Sequence, residues 1–204
     1  MKSKDWYHGT KNVDKILETM TLVPGNLHDV KSLKMFTPQY NRTYLTQSIE
    51  YALIYAFGCN LSCRKPINDT AYICVIDGND LNDINPDEDI IADLIQRCFT
   101  SSNSIRKDIS SIEIDFVDYI KRNITSKQLS LAMDDYGHGT KVGKTLIKNM
   151  SDDMKIKLIN YSVDKKLATL GGVNVKEIWK LDVDKYDDIK KDVINFKNYA
   201  IRIK

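Results

Sequence analysis

The chain of 204 residues is long enough to bury a substantial hydrophobic core. Its 30 Lys and Arg residues nearly balance its 28 Asp and Glu residues, and the net charge of +2 excludes a chain-wide electrostatic attraction to nucleic acid or membranes. The 4 cysteines are too few for a disulfide-rich scaffold, so a reducing cytoplasm is the simpler location.

The N-terminal residues carry positive charge without a following apolar run, so they do not indicate a secretory signal. Nowhere does an apolar stretch approach the roughly 18 to 20 residues that a membrane-spanning helix needs. The sequence therefore predicts a cytoplasmic protein with no membrane partner.

The first part of the chain predicts two strand and helix units. Asp5–His8 is short and aromatic, as is typical of a strand, and the apolar spacing in Val13–Met20 predicts a helix. An irregular surface loop is expected over residues 26–41. A second short strand, Tyr44–Leu45, then leads into a helix over Gln47–Phe57.

The middle of the chain, about residues 87–160, predicts a helical insertion. It contains four segments with helical patterns, although the alternation around Ile112 and Ile114 also fits a strand. A loop flanked by Gly137 and Gly143 is expected before the last helix. The predicted helices are Asp87–Cys98, Ser110–Asn123, Lys127–Met133 and Thr145–Ile159.

Three further strands complete the predicted fold. The β-branched run Thr70–Asp77 indicates the central strand, and Val175–Val183 and Asn198–Ile203 indicate strands at the end of the chain. Because strands come first and return last, the order favours an α+β fold over a regularly alternating parallel sheet. We expect one domain over residues 1–204.

His8, Gly9 and Thr10 end the first strand and bring a ring nitrogen, a bare backbone and a hydroxyl to one place. These groups suit a nucleotide, because histidine can bond ribose hydroxyls and glycine lets a flat amide approach the main chain. Thr10 supplies a further donor and acceptor. From this tripeptide alone, an ordinary strand-end histidine before a turn is the more common interpretation.

The second strand and its helix make the pattern more specific, because Tyr44-Leu45-Thr46 leads into an Ala-containing helix. Together with His8-Gly9-Thr10, this segment resembles the ADP-ribosyltransferase superfamily, in its His-Tyr-Glu branch. The resemblance extends through the strand that ends at Asp77. It implies a split, mixed or antiparallel sheet with flanking helices, and NAD⁺ as the substrate.

The resemblance also implies a role for each matching residue. His8 would hold the adenosine-side ribose, and Gly9 would bond the nicotinamide amide through its backbone. Tyr44 would stack on the nicotinamide ring, which gains from apolar burial and from the quadrupole of the tyrosine face. Thr46, or the nearby Ser48, would also bond the nicotinamide amide.

The third motif of that family is a glutamate that bonds the ribose 2′-hydroxyl and stabilises developing positive charge. Glu177 is our choice, because it opens an apolar run as the family's glutamate opens a late strand. A solvated glutamate at a strand edge is the alternative. A rival alignment places Lys166–Ala168 in that strand and has no glutamate, so the acid would come from elsewhere, such as Glu113, or the chemistry would differ or be lost.

The sequence therefore predicts an NAD-dependent ADP-ribosyltransferase that modifies a protein or nucleic acid, as toxins and phage-defence effectors do, with an antitoxin as a further candidate partner. Two alternatives stay open. One is an RNA 2′-phosphotransferase-like enzyme, although Tyr44 stands where that family has a histidine. The other is a non-catalytic module that binds NAD or ADP-ribose. No metal site is predicted, since no second pair follows Cys59 and Cys63.

Overall fold

The computed structural model describes residues 4–24, 41–58, 66–162 and 164–204. These residues form a mixed α/β protein in which the paired strands run antiparallel. The described residues form two compact units. The first takes in the described parts of residues 1–24, 43–83 and 169–204, and the second those of residues 25–42 and 84–168.

The strands of the described ranges are β1 (Asp5–Thr10), β2 (Thr21–Leu22), β3 (Arg42–Leu45), β4 (Thr70–Asp77), β5 (Asn85–Pro86), β6 (Leu167–Leu170), β7 (Val173–Asn174), β8 (Glu177–Asp182) and β9 (Ile201–Arg202). The α-helices there are α1 (Asp14–Thr19), α2 (Ile49–Ala56), α3 (Glu88–Cys98), α4 (Ser111–Asn123), α5 (Ser126–Asp134), α6 (Tyr136–Lys148), α7 (Asp152–Tyr161) and α8 (Tyr186–Lys191). Each helix in these ranges is too short or too polar to cross a membrane.

The first unit is built on a four-stranded sheet of order β1-β4-β8-β9. The predicted central strand Thr70–Asp77 is confirmed as β4, which pairs with β1 on one side and β8 on the other. Its core residues are 0 % exposed on both faces of the sheet, which is why the sequence of β4 reads as a continuous apolar run. These residues are Ala71, Ile73, Cys74, Val75 and Ile76.

Helix α2 covers one face of this sheet. It begins where the Ser48 hydroxyl accepts a hydrogen bond from the main-chain N–H of Tyr51, at 3.1 Å. Ala52, Leu53 and Ala56 then turn inward and are fully buried. Because small residues line this side, the helix backbone can approach the strands closely.

The second unit is a helical bundle formed by α3 to α7, and its apolar core is closed to solvent. The segment Ser110–Asn123, which also fitted a strand, is helix α4. Ser110 and Glu113 form a reciprocal capping box at its start, so local side-chain chemistry decides for the helix. The largest buried side chains here are Ile91, Ile95, Phe99, Phe116, Ile120, Leu146 and Leu158.

The prediction of a loop between Gly137 and Gly143 is wrong, because α6 includes both glycines. A Cβ at Gly139 would lie 3.0 Å from the Cβ of Ala92, and one at Gly143 would lie 3.0 Å from the Cβ of Ile91. The glycines therefore let α6 pack closely against α3, and this tertiary contact outweighs their low helix propensity.

The helix predicted over Thr145–Ile159 is also wrong in its extent. Helix α6 ends at Lys148, and α7 begins at Asp152 after the Ser151 hydroxyl caps it. At the end of the chain, the strand predicted over Asn198–Ile203 shortens to β9, because a 3-10 stretch occupies Val193–Tyr199.

The short strands β3, β5 and β6 form a separate sheet in which β6 is the middle strand. In the second unit, Asn85 pairs with Ala168 and Pro86 with Leu167. The last two residues of β6 belong to the first unit. Most of the expected loop at residues 26–41, and both Cys59 and Cys63, lie outside the described residues.

Candidate functional site

Tyr7 of β1 pairs with Thr46, the residue that follows β3, and the pairing does not continue along β3. Tyr7 N donates to Thr46 O at 2.8 Å, and Thr46 N donates to Tyr7 O at 3.0 Å. This bridge is isolated, and β1 and β3 belong to different sheets. A continued antiparallel register would pair Gly9 with Tyr44, but no such pair forms. We call this unpaired region between Gly9 and Tyr44 the opening.

The imidazole of His8 reaches toward β3. Its Nδ1 lies 3.0 Å from the main-chain oxygen of Tyr44, 36 residues further along the chain. Burial lowers the pKa of His8, and the bond to the Tyr44 carbonyl offsets only part of that effect. The structure thus brings together the two segments on which the sequence argument depended.

Gly9 of β1 packs directly against the main chain of α2. A Cβ there would stand 1.9 Å from the carbonyl oxygen of Ala52 and 2.9 Å from the nitrogen of Ala56, so α2 requires the missing side chain. The N–H and C=O groups of Gly9 do not point toward α2. Because alternate residues of a strand direct their N–H and C=O groups to the same side, those of Gly9 face the β3 side, as those of Tyr7 do.

The three hydroxyl residues of the proposed site hold local turns. Thr10 Oγ1 donates to the Asn12 carbonyl at 3.0 Å and accepts from its N–H at 3.3 Å. Thr46 Oγ1 accepts from the N–H of Ser48 at 3.0 Å, while Ser48 caps α2. These contacts shape the rim of the opening, and they account for Thr10, Thr46 and Ser48 without a ligand.

Tyr44 is half-buried and lies between two buried residues of β3, Thr43 and Leu45. Thr43 Oγ1 donates to the carbonyl of Gly171 at 2.8 Å, which anchors this face of the strand. Since successive strand side chains point to opposite faces, the Tyr44 ring lies on the face of β3 opposite to the side chains of Thr43 and Leu45.

Glu177 is placed on the face of the sheet opposite to His8. Glu177 pairs with Val75, and Val75 pairs with Tyr7, so these three residues form one row across the sheet. His8 pairs with Cys74 and therefore belongs to the adjacent row. Adjacent rows point to opposite faces, and β4 separates β8 from β1. The structure therefore brings the His8 ring to the main chain of Tyr44, but it places Glu177 on the face opposite to His8.

The Glu177 carboxylate is also held by neighbours on its own face. Its Oε2 accepts from Trp179 Nε1 at 2.8 Å and from Lys197 Nζ at 2.7 Å. Burial acts to raise its pKa, but the bonds and charges around it outweigh burial and hold the pKa below its usual range. Lys197 also lies 5.0 Å above the Trp179 ring.

Glu113, the substitute acid considered from the sequence, is fully buried in the second unit. Its carboxylate accepts from the N–H and hydroxyl of Ser110, from the Tyr161 hydroxyl at 2.6 Å, and from Arg97 Nε. These bonds cap α4 and tie it to α3 and α7. They give Glu113 a structural role.

A shallow depression of about 370 Å³ lies just beyond the end of β1. Its lining includes the exposed Lys11 and the half-buried Tyr72, which pairs with Thr10 in the sheet. The other lining residues are Asn12, Val13 and Asp14.

The sequence did not predict the contacts that define the opening, because main-chain groups make them. The Tyr7 and Thr46 bridge and the Tyr44 carbonyl carry no residue-type signal.

Within the described ranges, no three His, Cys, Asp or Glu side chains cluster as metal ligands. No family model, curated protein or solved structure matches the chain.

Proposed function

We propose that this chain binds NAD⁺ at the opening between β1 and β3 and transfers ADP-ribose from it to a macromolecule. The observation that carries the proposal is the parting of these strands after the Tyr7 and Thr46 pair, with the main chain of Gly9 directed to the β3 side. The resemblance to the His-Tyr-Glu ADP-ribosyltransferases, with their split sheet, gives this opening its chemical interpretation.

The groups around the opening suit the parts of NAD⁺. A carboxamide needs one acceptor and one donor on the same side, and the N–H and C=O of Gly9 supply both. The ring of Tyr44 offers a flat face to the pyridinium. His8 can bond a ribose hydroxyl, and Lys11 can contact the diphosphate.

The reaction breaks the bond between nicotinamide and ribose. Nicotinamide leaves as a neutral molecule with the bonding electrons, a nucleophile of the acceptor bonds to the ribose carbon, and the acceptor releases a proton. The sugar carries positive charge in the transition state, so a carboxylate near the ribose accelerates the step. Glu177 is the proposed carboxylate from the sequence.

The location of Glu177 favours a second candidate function, binding of NAD⁺ or ADP-ribose without turnover. Its carboxylate faces away from His8 and is engaged by Lys197 and Trp179. A site that grips the dinucleotide but lacks a carboxylate at the ribose would bind it without efficient transfer.

One experiment separates these functions. The purified chain is incubated with NAD⁺ labelled in its adenylate phosphate and with cell lysate, and samples are digested with protease or nuclease. Label that a protease or a nuclease releases supports transfer to protein or nucleic acid. Calorimetric binding without turnover supports the second function, and loss of a 2′-phosphate from RNA supports a phosphotransferase. Absence of both binding and turnover contradicts the proposal.

The Glu177→Gln variant tests the carboxylate separately. Glutamine keeps an oxygen that can accept from Trp179 and Lys197, so the fold is preserved while the charge is lost. Transfer that falls while NAD⁺ binding stays unchanged would assign the role to Glu177. Transfer equal to that of the parent would show that another group, or none, stabilises the ribose. The exposed Glu18→Gln provides a matched control.

A further inference from the structure

The start of helix α3 carries three consecutive acidic residues, Asp87, Glu88 and Asp89. Glu88 and Asp89 are 3 % and 7 % exposed, and Lys166, which precedes β6, is 8 % exposed. The charge of Lys166 acts on both Asp87 and Asp89. We call these four residues, all in the second unit, the α3 junction. It sets one ammonium group against three carboxyl groups in a place that water reaches poorly.

The contacts within the α3 junction require a bound proton. The carboxyl group of Asp87 is hydrogen-bonded to that of Glu88. Ionised carboxylates only accept hydrogen bonds, so one member of the pair must carry a proton for this bond to form. The Asp87 carboxyl also begins α3, because its Oδ1 accepts from the N–H of Asp89 at 3.1 Å. The bound proton therefore lies in the pair that caps the helix.

The α3 junction joins three segments of the second unit. The main-chain N–H of Asp87 donates to the oxygen of Lys166 at 3.4 Å, which ties the start of α3 to the residue before β6. The start of α6 packs here through the Tyr136 hydroxyl, which lies 3.0 Å from Asp93 Oδ1 and 3.4 Å from the main-chain oxygen of Asp89. Asp93 lies one turn further along α3, and its charge adds to the negative charge around Asp89.

Burial shifts both aspartates of the α3 junction toward the protonated form. It is the largest effect on each, and neighbouring carboxyl groups add to it, so the pKa rises to about 6 for Asp87 and to about 8 for Asp89. Lys166 acts in the opposite direction on both pKa values without reversing the shift. In the unfolded chain these groups ionise at about pH 4, so folding takes up protons around neutral pH.

We propose that the α3 junction is a pH-sensitive latch, which holds the starts of α3 and α6 and the segment before β6 together while it is protonated and loosens when the protons leave. Ionisation gathers buried negative charges around one ammonium group, and their repulsion opposes the contacts that join these segments. Because the folded pKa values are raised, the stability that the protonated latch provides is fully present below about pH 4, and it declines as the pH rises to about 8. The latch lies in the second unit and does not depend on the proposed function.

Hydrogen exchange of the full chain, followed by mass spectrometry, tests the latch. Peptides over residues 85–92 and 164–170 should lose protection by at least about tenfold between about pH 6.5 and about pH 9, after correction for the intrinsic pH dependence of exchange. A peptide from β4 in the first unit should keep its protection. This range avoids the effect expected from His8, which develops below about pH 6.5.

The Asp89→Asn variant removes one of the ionising groups at nearly the same volume. Its α3 peptide should keep at about pH 9 most of the protection that it has at about pH 6.5. The exposed Asp118→Asn on α4 is the matched control and should behave like the parent. Unchanged protection in the parent over this range, or an equal loss in Asp89→Asn and the parent, overturns the latch.

Carbon NMR of the parent with labelled aspartate provides a second measurement if Asp89→Asn fails to fold. An aspartate carboxyl group that titrates between about pH 6 and about pH 8 supports the latch. Titration of every aspartate below about pH 5 overturns it.

Discussion

Gly9 of β1 lies directly beneath Ala52 of α2, so close that a Cβ on Gly9 would stand 1.9 Å from the Ala52 carbonyl oxygen. The other two atoms in the way are also main chain, the carbonyl carbon of Ala52 at 2.8 Å and the nitrogen of Ala56 at 2.9 Å. Backbone atoms in a helix cannot rotate aside as a side chain can. Helix α2 and strand β1 would therefore have to separate to admit any larger residue.

We expect Gly9→Ala to lower the free energy of unfolding by about 3 kcal/mol or more, because the added methyl overpacks a contact between two backbones. Urea denaturation measures this loss. The matched control is Gly171→Ala, since a Cβ there meets nothing within 4 Å and only the φ of +73° opposes it. That strain should cost about 1 kcal/mol, and equal losses in the two variants would contradict the packing argument.

Glycines within α6 should respond to alanine with opposite signs. At Gly143 a Cβ would lie 3.1 Å from the main-chain oxygen of Glu88, so Gly143→Ala should destabilise the helical unit by about 1 to 3 kcal/mol. At Gly137 the nearest atoms belong to the Asp135 side chain at 3.5 Å, and alanine should stabilise by about 0.5 to 1 kcal/mol. Thermal unfolding of both variants checks the signs.

Removing the charge of Glu113 should destabilise the second unit in a pH-dependent way. Burial acts to raise its pKa, but the bonds from Ser110, Tyr161 and Arg97 outweigh it and lower the pKa from 4.5 to about 2. The carboxylate therefore contributes stability above about pH 4.5, and this contribution is lost as the pH falls toward 2. Glu113→Gln should cost about 1 to 3 kcal/mol at neutral pH.

The measurement is urea denaturation of the parent and Glu113→Gln at about pH 7 and about pH 3. The difference between the two proteins should shrink at the lower pH. Asp115→Asn, on the same helix but exposed, should change stability by less than about 0.5 kcal/mol. A difference at Glu113 that does not depend on pH would show that the carboxylate charge is not what stabilises α4.

His8 should make the first unit sensitive to mild acid. Its folded pKa is lowered from 6.5, mainly by burial, so the unfolded chain binds the proton more readily. The stability that the neutral His8 ring allows is then fully present above about pH 6.5, and it declines as the pH falls below that value. Urea denaturation between about pH 8 and about pH 5 should show a steeper decline for the parent than for His8→Asn. Parallel curves would contradict a lowered pKa.

Tyr44 should contribute to dinucleotide affinity through its ring. If it stacks on nicotinamide, Tyr44→Ala should weaken NAD⁺ binding by about tenfold, whereas ADP-ribose, which lacks nicotinamide, should bind with nearly unchanged affinity. Calorimetry with both ligands makes the comparison. Tyr55→Ala, at an exposed tyrosine of α2, is the control. An equal loss for both ligands would indicate that Tyr44 supports the fold and does not stack.

Local sequence patterns determined several elements of this protein. The apolar run Thr70–Asp77 predicted the central strand, and the pattern over Gln47–Phe57 predicted the helix that follows β3. Both signals depend on residues near one another in the chain. The loop expected at Gly137–Gly143 failed for the same reason, since glycine favours a loop locally, while close packing against α3 decided for a helix.

By itself, the sequence determined that His8 and Tyr44 each lie on a short strand and that Glu177 lies on another. Only the tertiary structure decided that β1 pairs with Thr46 after β3 and pairs no further with this segment, that the Tyr44 carbonyl orients the His8 ring, and that Glu177 and His8 lie on opposite faces of the sheet. Pairing between strands is made by main-chain groups that every residue possesses. Residue types therefore show that a strand exists, but its register and its partners settle which side chains meet.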